Sequence, residues 1–230
     1  TSSLYHRILK RLFHITMWMH LACFGIFTIK QRGKRAAPSD APVIVAAPHA
    51  SYLDGFVVFA SYTNMPMVLV KDAVAKMPLI GKAVKFTHSL AVNRRDEASK
   101  ETIKAVITKR VSSGEDWPQL LAFPEGTLTN GRSIMRFKPG AFLPGVPVEP
   151  VLIRYNNSLD TAISHNFEPD GLSKSYVLTM CQLFTTVELE ILPTYIPSHE
   201  EIENPQLFAD NVKEMMAKTL QIPVCPKPYK

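Results

Sequence analysis

The chain has 230 residues, of which 46% are hydrophobic and 20% are charged, so it is long enough and apolar enough to bury a core. This composition excludes a disordered tail, and three cysteines without C-x-x-C spacing indicate neither a zinc site nor a disulfide framework. The net charge of +6 is the sum of +7 over residues 1–39, +4 over residues 40–145 and −5 over residues 146–230. Because most of the basic excess brackets one apolar run, the sequence does not indicate a nucleic-acid partner.

The apolar run extends from Leu12 to Ile29 without a charged residue. At about 1.5 Å per residue, a helix of this length is slightly shorter than the hydrocarbon core of a bilayer, which is about 30 Å thick. Basic residues flank the run on both sides, which favours a helix that lies in the interface or enters one leaflet. We predict that residues 1–35 form a basic-flanked, membrane-associated helix. A buried core helix is the alternative, and a cleaved signal peptide is less favoured because the polybasic KQRGKR follows.

Beyond a linker at residues 36–42, short apolar runs alternate with helical patterns. Strands are predicted at Val43–Ala47, Met67–Lys71, Ser89–Val92, Gln119–Phe123, Val148–Tyr155 and Val187–Leu192. Helical segments are predicted at Phe56–Tyr62, Ala73–Lys85 with a break at Pro78, Glu97–Val111 and Gln206–Leu220. This alternation is typical of an α/β domain, with a mainly parallel sheet flanked by helices, over residues 43–224.

The first candidate for chemistry is the segment PHASYLDGF, in which His49 follows a predicted strand and Asp54 lies five residues later at the start of a helix. Ligands of α/β sheets collect at such strand ends. A turn of this length can place the Asp54 carboxylate against one imidazole nitrogen and leave the other as a general base. The alternative is that Asp54 only caps the helix and His49 is an ordinary loop histidine.

The second candidate is the segment that begins FPEGTLTNG. Pro124 and Gly126 fit an ordinary type I turn, but a small polar loop follows, and it carries no acidic residue as far as Glu149. The backbone N–H groups of Gly126 and Thr127 can hold an oxyanion or a phosphate. Lys71 and Arg94 also follow predicted strands, although charged residues at strand ends usually face solvent. Cations near this loop include Arg132, Arg136 and Lys138.

Together these segments resemble the glycerolipid acyltransferase superfamily. Four blocks come in the order of that family: H-x-x-x-x-D at His49–Asp54, a basic block at Val92–Arg94, E-G-T at Glu125–Thr127 and a proline-bearing strand at Val146–Val151. Within the superfamily, the segments FKPGAFLPGVPVEPVLIRY and MCQLFTTVELEILP look most like lysophosphatidylcholine and lysophosphatidylethanolamine acyltransferases. The resemblance extends from the N-terminal helix to about residue 224.

The resemblance implies an enzyme of phospholipid remodelling that moves an acyl group from acyl-CoA to the free hydroxyl of a lysophospholipid. It also implies a location on a membrane, at the endoplasmic reticulum, with the active site facing the cytosol. Acyl-CoA is a co-substrate, so no cofactor is expected, and the chemistry requires no metal ion. The partners expected are therefore acyl-CoA, a lysophospholipid and the bilayer.

The resemblance also assigns roles to residues. His49 would deprotonate the acceptor hydroxyl, and Asp54 would orient His49. Backbone donors near Gly126, together with Lys71, would hold the oxyanion. The acceptor phosphate and the loop around it would be positioned by Arg94, Glu125 and Thr127.

Three alternatives stay open. Phosphatidate-forming relatives commonly carry Arg after E-G-T, where this chain has Leu128, so lysophosphatidate is the less favoured acceptor. A lipid hydrolase that uses Ser51 is less favoured still, because G-x-S-x-G is absent and Ser51 is too close to His49 in sequence for the usual triad. The third is a lipid-binding module that has kept the fold and lost turnover.

Overall fold

The computed structural model describes residues 4–71, 75–76, 78–92, 101, 105–110, 113, 115, 117–156, 161–163 and 171–225. Within these residues, seven strands form one sheet in the order β1-β7-β6-β2-β5-β3-β4. The strands are β1 (Ile29–Arg32), β2 (Val43–Ala47), β3 (Met67–Lys71), β4 (Leu90–Val92), β5 (Leu120–Ala122), β6 (Val148–Tyr155) and β7 (Val187–Ile191).

Strand direction brings the loops of interest to one edge of the sheet. Strand β2 pairs parallel with both β5 and β6, and β3 pairs parallel with both β5 and β4. Strand β7 runs antiparallel to β6 and parallel to β1. The carboxyl ends of β2, β5 and β6 therefore meet at the same edge, which is where ligands of α/β sheets bind.

Helices cover both faces of the sheet. They are α1 (Leu4–Ala22), α2 (Asp54–Ser61), α3 (Pro78–Phe86), α4 (Gly171–Met180), α5 (His199–Glu203) and α6 (Pro205–Leu220), with a 3-10 turn at Pro139–Ala141. Residues 105–110 are also helical. Side chains of β2 alternate between two cores: Val43 and Val45 face the core that contains Phe208 of α6, whereas Ile44 faces the core that contains Val57 of α2.

The α/β class and the mainly parallel sheet are confirmed. All six predicted strands are present, each within one or two residues of its predicted bounds. The predicted helix at residues 206–220 is α6, and the break expected at Pro78 is the first residue of α3, a position that suits proline. The helix predicted at residues 97–111 lies partly outside the described residues.

The prediction that residues 1–35, which include the apolar run Leu12–Ile29, form one helix is wrong for the residues after Ala22. Helix α1 ends at Ala22, and Gly25 then takes a positive φ of 70°. A side chain at Gly25 would lie 2.6 Å from the Gln182 carbonyl oxygen, so the turn requires glycine. Residues 29–32 then form β1, whose backbone is paired by β7. The stretch assigned to the membrane-associated helix thus also supplies an edge strand of the sheet.

Helix α1 has one packed face and one exposed face. Leu21 is fully buried, and Met17 and Trp18 pack against the core beneath α2. The other face exposes a stripe of large apolar side chains at helical spacing, Leu4, Ile8, Leu12, Ile15 and Met19. None of the helices in the described part of the chain has the length and apolar character needed to cross a bilayer.

Candidate active site

His49 lies in the turn after β2, and Asp54 is the first residue of α2, as predicted. The His49 Nδ1 atom is 2.8 Å from Asp54 Oδ2. This contact makes Nδ1 the protonated ring nitrogen when the imidazole is neutral, so Nε2 carries the free lone pair. Among the described residues, Nε2 has no hydrogen-bond partner. The pair therefore has the geometry of an oriented general base.

The Asp54 carboxylate is fully buried and is held by the loop that carries His49. Its Oδ2 atom accepts hydrogen bonds from the backbone N–H of Ala50 at 2.9 Å and of Ser51 at 3.0 Å. The N-cap of α2 is Leu53, which makes no side-chain capping bond. The Asp54 side chain thus fixes the turn and the imidazole, and the helix-capping alternative does not describe its contacts.

The His49 ring is the accessible member of the pair. Its side chain is 21% exposed, whereas that of Asp54 is 0% exposed. One face of the ring stacks on Phe123, the residue after β5, with centroids 4.1 Å apart and an interplanar angle of 21°. Stacking and the Asp54 contact together restrict both the position and the rotation of the imidazole.

Glu125 connects two loops through its carboxylate. The Oε2 atom accepts from the backbone N–H of His49 at 2.6 Å, and Oε1 accepts from the backbone N–H of Met135 at 2.8 Å. Burial raises the pKa of Glu125, and the two backbone donors oppose that rise. Because the side chain is only 2% exposed, these contacts support the expected role in positioning the loop more than direct contact with an acceptor phosphate.

The sequence suggested that the Gly126 N–H could hold an oxyanion or a phosphate, but this group already donates inside the turn. It donates to the Phe123 carbonyl at 3.0 Å and closes the turn. Gly126 has a φ of 69°, and a Cβ there would lie 2.7 Å from Lys138 Nζ, so the Lys138 ammonium lies against this turn. The next N–H, that of Thr127, donates to no backbone acceptor among the described residues.

The rest of this loop packs against the His49 turn. The Thr129 N–H donates to the His49 carbonyl at 2.7 Å. Gly131 has a φ of 68°, and a Cβ there would lie 3.3 Å from the Ala50 Cβ atom, so the two loops approach closely at this point. The His49 turn is therefore held on both its backbone N–H and its carbonyl by the loop after β5.

The structure does not describe the side chains of Lys71 and Arg94, the two cations predicted to bind at the site. Lys71 is the last residue of β3, but its side chain lies outside what the structure describes. Arg94 lies outside the described residues altogether. Their expected roles stay predictions.

Sequence reasoning missed Tyr155, the last residue of β6. Its hydroxyl donates to Asp54 Oδ1 at 2.7 Å. Burial and the neighbouring carboxylate raise the pKa of the Tyr155 phenol well above its usual value, so it stays protonated and donates. Period-two alternation could place Tyr155 on the same face of β6 as Val151 and Ile153, but only the strand order brings that face to Asp54.

Ser51 is poorly placed to be a nucleophile. It is fully buried, its hydroxyl accepts from the Leu53 N–H at 3.1 Å, and its own N–H donates to Asp54. These contacts give Ser51 a structural role in the turn. The geometry therefore does not support the hydrolase alternative.

Comparison with known proteins agrees with this geometry. Residues 28–154, more than half of the chain, match the Acyltransferase family, and the chain therefore belongs to that family. Lysophosphatidylcholine acyltransferase 1 from Danio rerio is 44% identical over 200 residues, which are 87% of this chain and 38% of the relative. Lysophosphatidylcholine acyltransferase 2 from Homo sapiens is 43% identical over 203 residues, 88% of this chain and 37% of the relative. The resemblance seen in the four sequence blocks is confirmed.

A solved structure has a similar fold. The crystal structure of 1-acyl-sn-glycerophosphate (LPA) acyltransferase from Thermotoga maritima superposes with a TM-score of 0.57, covering 96% of this chain and 83% of that chain. At 16% identity this similarity concerns the fold alone. The chain spans little more than a third of the length of the curated relatives it matches.

Proposed function

We propose that this chain carries the catalytic domain of an acyl-CoA:lysophospholipid acyltransferase, with lysophosphatidylcholine or lysophosphatidylethanolamine as the acceptor. The observation that carries the proposal is the His49–Asp54 contact of 2.8 Å, which presents a partly exposed imidazole at the edge where the parallel strands end. The names of the relatives support the acceptor class.

The proposed reaction uses His49 as general base and then as general acid. His49 Nε2 takes the proton of the acceptor hydroxyl while its oxygen attacks the thioester carbonyl. Asp54 stabilises the imidazolium that forms. When the tetrahedral intermediate collapses, the C–S bond breaks, the new ester remains, and the imidazolium proton neutralises the CoA thiolate. No covalent enzyme intermediate and no metal ion enter this scheme.

Stabilisation of the tetrahedral oxyanion is assigned to the loop after β5. The Thr127 N–H is our candidate donor, because the Gly126 N–H is used inside the turn. Lys138, whose ammonium lies against Gly126, adds positive charge near this loop, and Lys71 stays a candidate from the sequence. Arg94 and Thr127 remain our candidates for positioning the acceptor phosphate.

We also propose that α1 holds the domain on a membrane, at the endoplasmic reticulum with the site facing the cytosol. The exposed apolar stripe of α1 and the exposed basic residues beside it, Arg7 and Arg11, support an interfacial position. A helix with one face on the domain core and one apolar face outward suits attachment to the bilayer surface.

A panel of lysolipids tests the function. Vesicle-bound protein is offered lysophosphatidylcholine, lysophosphatidylethanolamine and lysophosphatidate with a mixture of acyl-CoAs, and the lipid products are identified by mass. We expect diacyl products of the first two acceptors that form only when acyl-CoA is present. Release of free fatty acid from a phospholipid without CoA would support a hydrolase instead.

A further inference from the structure

Helix α2, which begins at Asp54, is hydrogen-bonded to β6 at both of its ends, each time between a tyrosine hydroxyl and a carboxylate. At the N-terminal end, the Tyr155 hydroxyl donates to Asp54. At the C-terminal end the pairing is reversed: the hydroxyl of Tyr62, which caps α2, donates to Glu149 of β6. Glu149 and Tyr155 are six residues apart and therefore lie on the same face of the strand.

These two pairs differ in one respect. The Glu149 carboxylate is 0% exposed and accepts from Tyr62 and from the Ala36 N–H, so it connects structural elements only. Asp54, by contrast, also contacts the imidazole of His49. The chain thus contains the same interaction twice, once beside the catalytic pair and once away from it.

Tyr155 controls the second oxygen of Asp54. Oδ2 is shared by His49 and by two backbone N–H groups, whereas Tyr155 is the one described donor to Oδ1. A hydrogen bond to a carboxylate stabilises its charge and fixes its rotation. The Ala50 and Ser51 N–H groups keep Oδ2 beside Nδ1, so the Tyr155 hydroxyl acts mainly on the charge that Asp54 presents to His49.

We propose that Tyr155 is a positioning residue of the active site: its hydroxyl fixes the second oxygen of the Asp54 carboxylate and thereby sets the basicity of His49. This inference deepens the proposed function and rests on it for the reaction, although the contact itself can be tested without turnover. Tyr155 acts through Asp54 and does not need to touch either substrate.

Loss of the Tyr155 hydroxyl should shift the protonation of the His49–Asp54 pair in one direction. Without this donor the Asp54 charge is less stabilised, so it binds a proton more readily and attracts a proton on His49 more strongly. Both effects move protonation of the pair to higher pH. Other titratable groups near the pair are Glu125, from the loop after β5, and Tyr52, which contributes to the raised pKa of Tyr155. Tyr155→Phe leaves both of them in place.

The first measurement follows the His49 ring directly. Histidine ring signals are recorded by NMR as a function of pH, and the His49 signal is identified by its absence in His49→Ala. In Tyr155→Phe we expect its titration midpoint to move to higher pH, because the Asp54 charge that faces the imidazole is less stabilised. A midpoint unchanged from the wild type would overturn the proposal.

The second measurement uses turnover. The acid limb of the kcat/KM profile for acyl transfer should move to higher pH in Tyr155→Phe, with kcat at the optimum reduced about tenfold and the KM for acyl-CoA changed less than twofold. In an Asp54→Asn background the same substitution should add little further loss, since it acts through Asp54. Fully additive losses would contradict a role through Asp54.

Tyr62→Phe is the matched control. It removes the same hydroxyl from the same kind of pair at the other end of α2, so it should lower thermal stability and leave the His49 midpoint and the pH profile unchanged. If both variants shift the profile alike, the effect belongs to α2 as a whole and the proposal fails.

A second variant covers the case in which Tyr155→Phe does not fold. Replacement of Tyr155 by 3-fluorotyrosine keeps the ring and the hydroxyl but makes the hydroxyl a stronger donor, so the His49 midpoint should move to lower pH. A wild-type chain that transfers no acyl group would refute the proposed function, and the ring titration would still decide the role of Tyr155.

Discussion

At the scale of single residues, the Asp54 carboxylate is the most constrained group of the site. It accepts hydrogen bonds from two backbone N–H groups and from Tyr155, and it contacts His49, while it is completely buried. Each of these contacts fits the ionised form, so the site is built for a charged carboxylate behind the imidazole.

Asp54→Asn tests that requirement. The amide has one carbonyl oxygen and one NH₂ group, so it cannot accept from His49, Tyr155 and the loop together, and we expect kcat to fall by about 100 to 10,000-fold. Acyl transfer is compared with the thermal unfolding midpoint of the same sample. A variant that loses only stability and keeps its turnover would return Asp54 to a purely structural role.

The variant Glu125→Gln tests whether Glu125 positions the His49 loop or binds the lysolipid directly. One carboxylate oxygen becomes an NH₂ group that faces a backbone N–H of either His49 or Met135, and a buried donor left unpaired costs about 1–3 kcal/mol. We expect kcat to fall at least about tenfold while the KM for the lysolipid changes little.

Glu149→Gln is the control for this measurement, because Glu149 is equally buried and lies away from the catalytic pair. It should lose stability without loss of kcat. If Glu125→Gln instead raised the lysolipid KM at constant kcat, direct contact between Glu125 and the acceptor would be the better interpretation.

The sequence predicts the contact between His49 and Asp54, but it does not predict the contacts that residues from other strands make with them. His49 and Asp54 are five residues apart in one turn, so their spacing alone predicts contact. Glu125 and Tyr155 reach the same turn from other strands, and their contacts depend on β5 and β6 both being neighbours of β2. Sequence periodicity indicates the face of a strand but not its neighbour in the sheet.

At the scale of elements, α1 explains why the N-terminal segment was hard to interpret. Its apolar residues serve two surfaces, since Leu21 is buried against the domain while Leu12 and Ile15 are more than half exposed. Because the run is apolar throughout, the sequence did not show that it contains a helix with one buried and one exposed face, then a turn, and then the short edge strand β1. Such a strand of mixed polarity gives no clear period-two signal.

The exposed stripe of α1 predicts a change in membrane binding. Replacing both Ile8 and Ile15 by Ser removes exposed apolar surface, so we expect flotation with anionic vesicles to weaken at least tenfold while the unfolding midpoint stays close to wild type. Point variants are preferable to deletion of residues 1–35, because deletion would also remove β1 from the sheet.

Ile196→Ser is the control for the stripe, because Ile196 is 75% exposed and lies outside α1. Vesicle binding of this variant should equal that of the wild type. Unchanged flotation of the α1 variant, or an equal loss in both variants, would mean that the stripe does not hold the protein on the bilayer.

At the scale of the whole molecule, the sheet brings three separate segments to one edge. The turn after β2 carries His49, the loop after β5 holds the backbone of that turn, and the end of β6 supplies Tyr155. The loop after β5 also carries Leu128, which is partly buried and cannot pair with an anion. We therefore expect the choice of acceptor to depend on this loop.

Leu128→Arg is predicted to change the choice of acceptor. Lysophosphatidate exposes up to two negative charges, which an arginine recognises well, whereas choline and ethanolamine lysolipids carry one negative charge and a bulky cation. We expect the wild type to prefer the latter and the variant to narrow that difference by about 1–3 kcal/mol in kcat/KM. Specificity constants for the three acceptors on both proteins provide the test, and a wild-type preference for lysophosphatidate would contradict it.

The central claim is that His49 is the base of an acyl transfer from CoA, and one comparison tests it most directly. Release of CoA and formation of diacyl lipid are measured together for the wild type, His49→Ala and Ser51→Ala on the same vesicles. We predict equal amounts of both products in the wild type, a loss of about 100 to 10,000-fold in His49→Ala, and a loss of at most about tenfold in Ser51→Ala, whose hydroxyl contacts Tyr155. Turnover of His49→Ala within tenfold of the wild type, or a loss in a folded Ser51→Ala as large as that of His49→Ala, would contradict the mechanism.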